Sequence, residues 1–296
     1  MFTKAKFVTV SFVLLSLMLA VMPTADAKSP VWKVSKDGYV LYLGGTIHLL
    51  SASDYPLPEA FEIAYENADT LWFETDIAAI NSLDTQAQFL QVMMYQDGST
   101  LSQVLNRDTH KKLSDFLAER ELPIAAFETV SPAGLMSTLM AIELTKLGLI
   151  DQSAGVDLHF DQRAQKDQKL KQSLESVSEQ LAFLQNINEL EPNHFIATFI
   201  DELAELPQVW QSLLSAWRDG NLEQLAAVGI EPMKADYPSL YEVLLVQRNN
   251  NWIDDIEKML VTQDVEFVLV GALHMAGETG LLKQLRSAGY EVEQLD

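Results

Sequence analysis

Two histidines stand in matching surroundings. Leu41-Tyr-Leu-Gly-Gly-Thr-Ile-His48 and Phe267-Val-Leu-Val-Gly-Ala-Leu-His274 each read as an apolar strand followed by Gly-x-x-His. They lie 226 residues apart, so the echo is not a local repeat but two half-motifs that can close on one site. Glu74 ends a third apolar run, Leu71-Trp-Phe-Glu74, and points away from Leu71 and Phe73. In an α/β sheet the carboxyl ends of strands are where ligands bind, and Gly45 and Gly271 let backbone or ligand approach closely. Two imidazoles and a carboxylate form an N/O ligand set suited to zinc, manganese, iron or cobalt, with positions left open for water. A metal at His48, Glu74 and His274 would acidify bound water and polarise a carbonyl. The plainer alternative leaves the histidines packed and Glu74 as a surface or ion-paired acid.

The remaining histidines carry less chemistry. His110 precedes two lysines and reads as solvated, His194 lies at a helix start, and His159 sits on a helix out of phase with its apolar face. No G-x-S-x-G elbow, H-E-x-x-H pair or Walker loop occurs.

The elements that must position these groups follow from hydrophobic patterning. Residues 31–44 read as a β-hairpin around Asp37-Gly38, a dipeptide suited to a primed turn. Residues 56–68 have helical spacing, with Phe61, Ile63, Ala64 and Ala68 as core positions. Residues 80–258 are mostly helical, punctuated by Pro123, Pro132, Gly155, Pro192, Pro207, Gly220, Pro232 and Pro238, with one short strand at 169–174. Strand character returns at 265–271, then a helix at 279–288 and a last strand at 290–295. The expected fold class is α/β (α+β): two β-rich halves from the N- and C-terminal parts packed as one unit, with a large helical insertion over about 80–258.

Length and composition bound the rest. The chain has 296 residues, 48% hydrophobic and 21% charged, enough for a substantial core. Its 42 acidic residues against 20 basic ones give a net charge of -22, which argues against nucleic acid and anionic lipid as partners. The absence of cysteine excludes disulfides, thiol nucleophiles and Cys-ligated metals. Residues 1–27 have the layout of a signal peptide: Lys4 and Lys6, an uncharged run from Phe7 to Met22, then Ala25-Asp-Ala27. Cleavage there predicts a secreted or periplasmic chain of residues 28–296 as a single domain, net charge -23, with no membrane span.

Several segments together resemble the TraB/GumN family, whose bacterial members are exported and which includes the Tiki metalloproteases. They are Leu43-Gly-Gly-Thr-Ile-His48, Asp54-Tyr-Pro-Leu-Pro58, Phe73-Glu74-Thr-Asp76, Gly155-Val-Asp157-Leu-His-Phe, Leu174-Glu175-Ser-Val-Ser-Glu-Gln180, Arg248-Asn-Asn-Asn-Trp252 and Val270-Gly-Ala-Leu-His274-Met-Ala-Gly277. The blocks occur in family order and cover nearly the whole chain after residue 27. Gln168-Lys169-Leu170 departs from the Gly-Lys-Pro that relatives commonly carry, and Ser173 replaces a frequent Gly.

The resemblance implies a site built from both Gly-x-x-His motifs, Glu74 and Arg248, tied in Tiki-like members to metal-dependent peptide cleavage. It adds Glu175 as a general base or site carboxylate and Arg248 as an oxyanion stabiliser. Asp76 and Asp157 become supports behind the ligands, or else helix caps or surface acids. The expected cofactor is a divalent ion, Mn, Co or Zn, and the expected partner a peptide or small-molecule substrate. Two alternatives stay open: a metal-independent hydrolase with one His as general base, and a non-catalytic exported binding or regulatory protein using the same cleft.

Overall fold

The computed structural model describes residues 28–148 and 155–296. The expected signal peptide lies outside them. Six strands form one mixed sheet: β1 (Val31–Lys36), β2 (Tyr39–Thr46), β3 (Thr70–Phe73), β4 (Leu170–Ser173), β5 (Glu266–Gly271) and β6 (Glu291–Gln294), in the order β4-β3-β5-β2-β1-β6. β1 and β2 pair antiparallel as the expected hairpin, and Asp37 and Gly38 both take positive φ in the turn between them. The two β-rich ends therefore merge into one sheet, and β5 from the C-terminal part inserts between β2 and β3 from the N-terminal part. The short strand inside the helical region, β4, closes one edge of this sheet.

β2, β5, β3 and β4 run parallel, so all four end on the same side of the sheet. This sets the position of the site. Their sequences suit burial on both faces: β5 has Phe267, Val268, Leu269 and Val270 fully buried, as expected for a central parallel strand. One face packs on the Glu59–Asn67 and Val156–Asp167 helices through Phe61, Phe160, Phe267 and Trp217. The other packs on the Gln247–Met259 and Leu281–Ser287 helices through Trp252, Ile256, Leu282 and Leu285. A third core, including Leu113, Leu139, Phe195 and Phe199, lies wholly among the helices between β3 and β5.

Two expectations change. Ile63 is 41% exposed, while its neighbours Ala60, Phe61, Ala64 and Tyr65 are buried, so the apolar face is turned by one position. Pro207 does not break its helix, which runs unbroken from Pro192 to Arg218. Its ring is exposed, and the buried side chains before and after it, Leu203 and Trp217 among them, hold the helix together across the missing hydrogen bond.

Glu266 opens β5 in an unfavourable setting. Its Oε2 is buried without a partner, and Thr262 Oγ1 stands 3.5 Å from the other oxygen. Burial first, with Asp264 and Asp69 adding to it, pushes its carboxyl up to about 7. A raised carboxyl favours the folded state most below its unfolded value, and that advantage is lost as pH rises towards 7. Glu266→Gln is therefore expected to gain about 1–3 kcal/mol on the wild type between pH 5 and pH 8. Urea unfolding at the two pH values checks this; a constant difference would contradict it.

Candidate active site

Each of the four parallel strands delivers a functional side chain just beyond its last residue. His48 follows β2 by two positions, Glu74 follows β3 by one, Glu175 follows β4 by two and His274 follows β5 by three. The β3–β4 pairing continues past the strands: Leu174 donates its N–H to Phe73 O and Glu175 to Glu74 O, both at 2.9 Å. This backbone extension sets the two glutamates side by side. Glu74, Glu175, Arg248 and His274 are all buried, whereas the His48 side chain is 68% exposed.

Arg248 joins the cluster from the Gln247–Met259 helix, directly after a π-helical stretch over Glu242–Val246. Its Nε donates to Glu175 Oε2 at 3.0 Å and its Nη2 to Glu175 Oε1 at 2.6 Å. The same Nη2 donates to Glu74 Oε2. Nη1 donates to His274 Nε2 at 3.2 Å and reaches Leu244 O at 3.4 Å. The guanidinium lies over the Trp252 ring at 4.6 Å and the Phe183 ring at 5.0 Å, aromatic contacts that favour a desolvated cation. Arg248 is thus ion-paired, and its partners are the two site glutamates.

The imidazoles are oriented in the same way. Arg248 donates to His274 Nε2, so the His274 proton sits on Nδ1, which donates to Asn249 Oδ1 at 2.7 Å. Asn249 in turn donates to Thr279 O at 2.9 Å, which fixes its amide. His48 Nδ1 meets Asp157 Oδ2 at 2.9 Å, and Thr46 donates its hydroxyl to Asp157 Oδ1 at 2.8 Å. His274 therefore carries its lone pair on Nε2, and His48 does so once it gives up its second proton, each ring held by a partner behind it. Asn249 had no signal in the sequence beyond its place next to Arg248. Asp157 takes the supporting role, while Asp76 caps the Ile77–Ile80 helix by accepting from Ala78 and Ala79.

Charge states follow from these contacts. Burial alone would raise Glu74, but Arg248, then His274, His48 and the Gly271 amide, bring it down to about 2. Glu175 moves the other way: burial raises it, against the pull of Arg248 and with Glu74 adding to the rise. Burial pushes His274 down to about 3, so it is neutral. His48 is raised by the Asp157 carboxylate beside it, although its exposure lets water screen that attraction. With both carboxylates ionised, two negative charges face one guanidinium.

The donor set fits a divalent metal in its chemistry: two Nε2 lone pairs, carboxylate oxygens and a negative balance. Among the described residues, however, no three His, Asp or Glu side chains stand close enough together to hold a metal ion. Glu74 Oε1 lies 3.8 Å from His274 Nε2, and Arg248 occupies the approach to both. The other histidines stay outside. His110 is partly buried against Ser102 and Glu128 rather than solvated. His159 packs between Tyr55 and Phe160, and His194 donates its N–H to the Glu191 cap.

The model of the TraB/PrgY/gumN family matches residues 30–294, and the chain belongs to that family. The chain is similar to "Uncharacterized protein YbaP" of Escherichia coli (strain K12), at 28% identity over 248 residues, 83% of this chain and 87% of that one. The protein of the same name from Shigella flexneri matches to the same extent. No solved structure matches.

Gly155 supports His48 from behind. A Cβ added there would stand 2.2 Å from the His48 carbonyl carbon and oxygen, where Val156 N–H binds Ile47 O at 3.0 Å. Gly155→Ala is expected to cost about 2–3 kcal/mol of stability by overpacking. Urea unfolding measures it; a loss under about 0.5 kcal/mol would show that this contact yields freely.

Proposed function

We propose that the chain is an exported, metal-assisted hydrolase of Tiki-like type that cleaves peptide bonds at the strand-end cluster. One observation carries the reading. His48 and His274 are both held at Nδ1, by Asp157 and Asn249, so that Nε2 is the ligating atom of each neutral ring, beside two buried carboxylates that share one guanidinium. Bound by His48, Glu74 and His274, a divalent ion (Mn, Co or Zn) would supply Lewis-acid polarisation and an acidified water.

The chain's own residues do the rest. Glu175, raised by burial, takes a proton from the attacking water and returns it to the leaving amine. Arg248 holds Glu175 in a two-bond grip, and its positive charge favours the oxyanion that develops on the substrate carbonyl. Asp157 and Asn249 orient the two imidazoles. Among the described residues no helix is long and apolar enough to cross a membrane.

A second reading rests on the same His48–Asp157 pair, which also suits an exposed imidazole acting as general base without a metal. The two are separated by cleavage of a peptide library, read by mass spectrometry, with Mn²⁺, Co²⁺ or Zn²⁺ and with chelator. The metal reading predicts cleavage that chelator abolishes. It also predicts that Glu175→Gln lowers kcat by about 10²–10⁴-fold, and that metal content falls in His48→Ala/His274→Ala. Equal metal content in that double variant and the wild type contradicts it. Chelator-insensitive cleavage lost in His48→Asn selects the second reading, and peptide binding without turnover selects a binding protein.

A further inference from the structure

Every N–H group of the Arg248 guanidinium has an acceptor. Nε donates to Glu175 Oε2, Nη2 to Glu175 Oε1 and Glu74 Oε2, and Nη1 to His274 Nε2 and Leu244 O. Two of these acceptors, Glu74 Oε2 and His274 Nε2, belong to the candidate metal ligands. His274 donates from Nδ1 to Asn249, so its ring keeps a single lone pair, on Nε2, and that lone pair accepts the Nη1 proton at 3.2 Å. It cannot bond a metal ion at the same time. Glu74 is engaged at both oxygens, Oε2 by Arg248 and Oε1 by the Gly271 N–H at 2.7 Å. Side chains whose chemistry suits a divalent ion thus already surround a cation, and it is the chain's own.

The other attachments of Arg248 do not use those two atoms. Glu175 is held by two bonds, at 3.0 and 2.6 Å. Leu244, whose carbonyl takes the second Nη1 contact, lies in the π-helical stretch before the arginine, an element that recurs at functional sites. The Trp252 and Phe183 rings lie against the guanidinium at 4.6 and 5.0 Å. Arg248 can therefore release Glu74 and His274 while Glu175 keeps its counter-charge.

We propose that Arg248 and a divalent ion exclude each other at Glu74 and His274, which makes the arginine a built-in competitor that sets how tightly the site takes metal. The inference rests on the reading of His48, Glu74 and His274 as metal ligands, and it concerns the regulation of that site. Loading the site breaks two hydrogen bonds from a charged donor, and such bonds are roughly twice as strong as neutral ones. Metal affinity is therefore lower than the ligand set alone would give. The metal-free chain stays folded, unlike a zinc finger, because Glu74 has a counter-charge with or without the ion. A positive charge nearby would also weaken metal binding by repulsion alone, with no shared acceptor. The two accounts differ in what a lysine does at this position. It keeps the charge but lacks the planar fork that reaches Glu175, Glu74 and His274 together.

The test titrates Zn²⁺ and Mn²⁺ into the whole chain by calorimetry at constant pH, as wild type, Arg248→Lys and Arg248→Met. The binding that counts is the part lost in His48→Ala/His274→Ala. Exclusion predicts at least roughly tenfold tighter binding in both arginine variants. Equal affinity in Arg248→Lys and wild type overturns the proposal, since a gain in Arg248→Met alone is repulsion. Circular dichroism shows whether each metal-free variant is folded, and a readout on the wild type decides the matter if neither is. With ¹⁵N-labelled arginine, NMR of the metal-free wild type is expected to show the Arg248 Nη groups in slow rotation, held by Glu74 and His274. Saturating Zn²⁺ shifts and averages those signals, while Nε, bonded to Glu175, keeps its own. Zinc binding that leaves the Nη signals unchanged overturns the proposal, and so does the absence of zinc binding by all three proteins. Exclusion without peptide cleavage defeats the hydrolase reading alone, whereas metal-dependent cleavage with unmoved Nη signals defeats the exclusion alone.

Discussion

A guanidinium buried between two carboxylates is the interaction on which this structure turns. Arg248 reaches Glu74, Glu175 and His274, which arrive on three different strands, β3, β4 and β5. Two acids just past the ends of neighbouring parallel strands would repel each other in a low-dielectric interior. The guanidinium offsets that repulsion, and its fork geometry lets it bind one carboxylate twice while touching the other. Only Arg does this. A lysine would bring the charge without the planar set of donors, and the aromatic faces of Trp252 and Phe183 complete a pocket shaped for a flat cation.

The sheet explains why such a cluster is possible. Parallel strands share one carboxyl edge, so residues separated by up to 226 positions meet there without any contribution from loop length. Antiparallel β1 and β6 sit outside this edge and carry none of the site. The glycines work at close quarters: Gly271 donates its N–H to Glu74 Oε1 at 2.7 Å, and a Cβ there would already stand 3.2 Å from that oxygen. Polar groups behind the site are satisfied in pairs, Asp157 by Thr46 and His48, Asn249 by His274 and Thr279, which restrains the imidazoles without blocking Nε2.

Much of this was legible in the sequence. The Asp37-Gly38 turn, the strand before each Gly-x-x-His and the short strand leading to Glu175 are all set by local pattern and turn chemistry, and each forms where expected. The convergence of Glu74, Glu175, Arg248 and His274 followed from strand ends and from family resemblance. The altered Gln168-Lys169-Leu170 lead does not displace Glu175: Gln168 takes the left-handed conformation that a glycine would otherwise provide, and β4 keeps its pairing with β3. What the sequence did not carry was partnership. Nothing in spacing reveals that Arg248 would lie between the glutamates rather than beyond them, that Asn249 would fix His274, or that Ile63 would turn outward and Pro207 be tolerated within a helix. Those outcomes depend on how distant elements pack, where long-range contacts outweigh local preference.

The central claim is that Arg248 is the internal counter-charge on which the strand-end cluster depends. Urea unfolding at pH 7 of Arg248→Met, compared with Arg248→Met/Glu74→Gln/Glu175→Gln, tests it most directly. Removing the cation alone strands two buried carboxylates and is expected to cost about 3–5 kcal/mol, most of which returns when both acids are also neutralised. A loss below about 1 kcal/mol in Arg248→Met, or no recovery in the triple variant, would contradict the account.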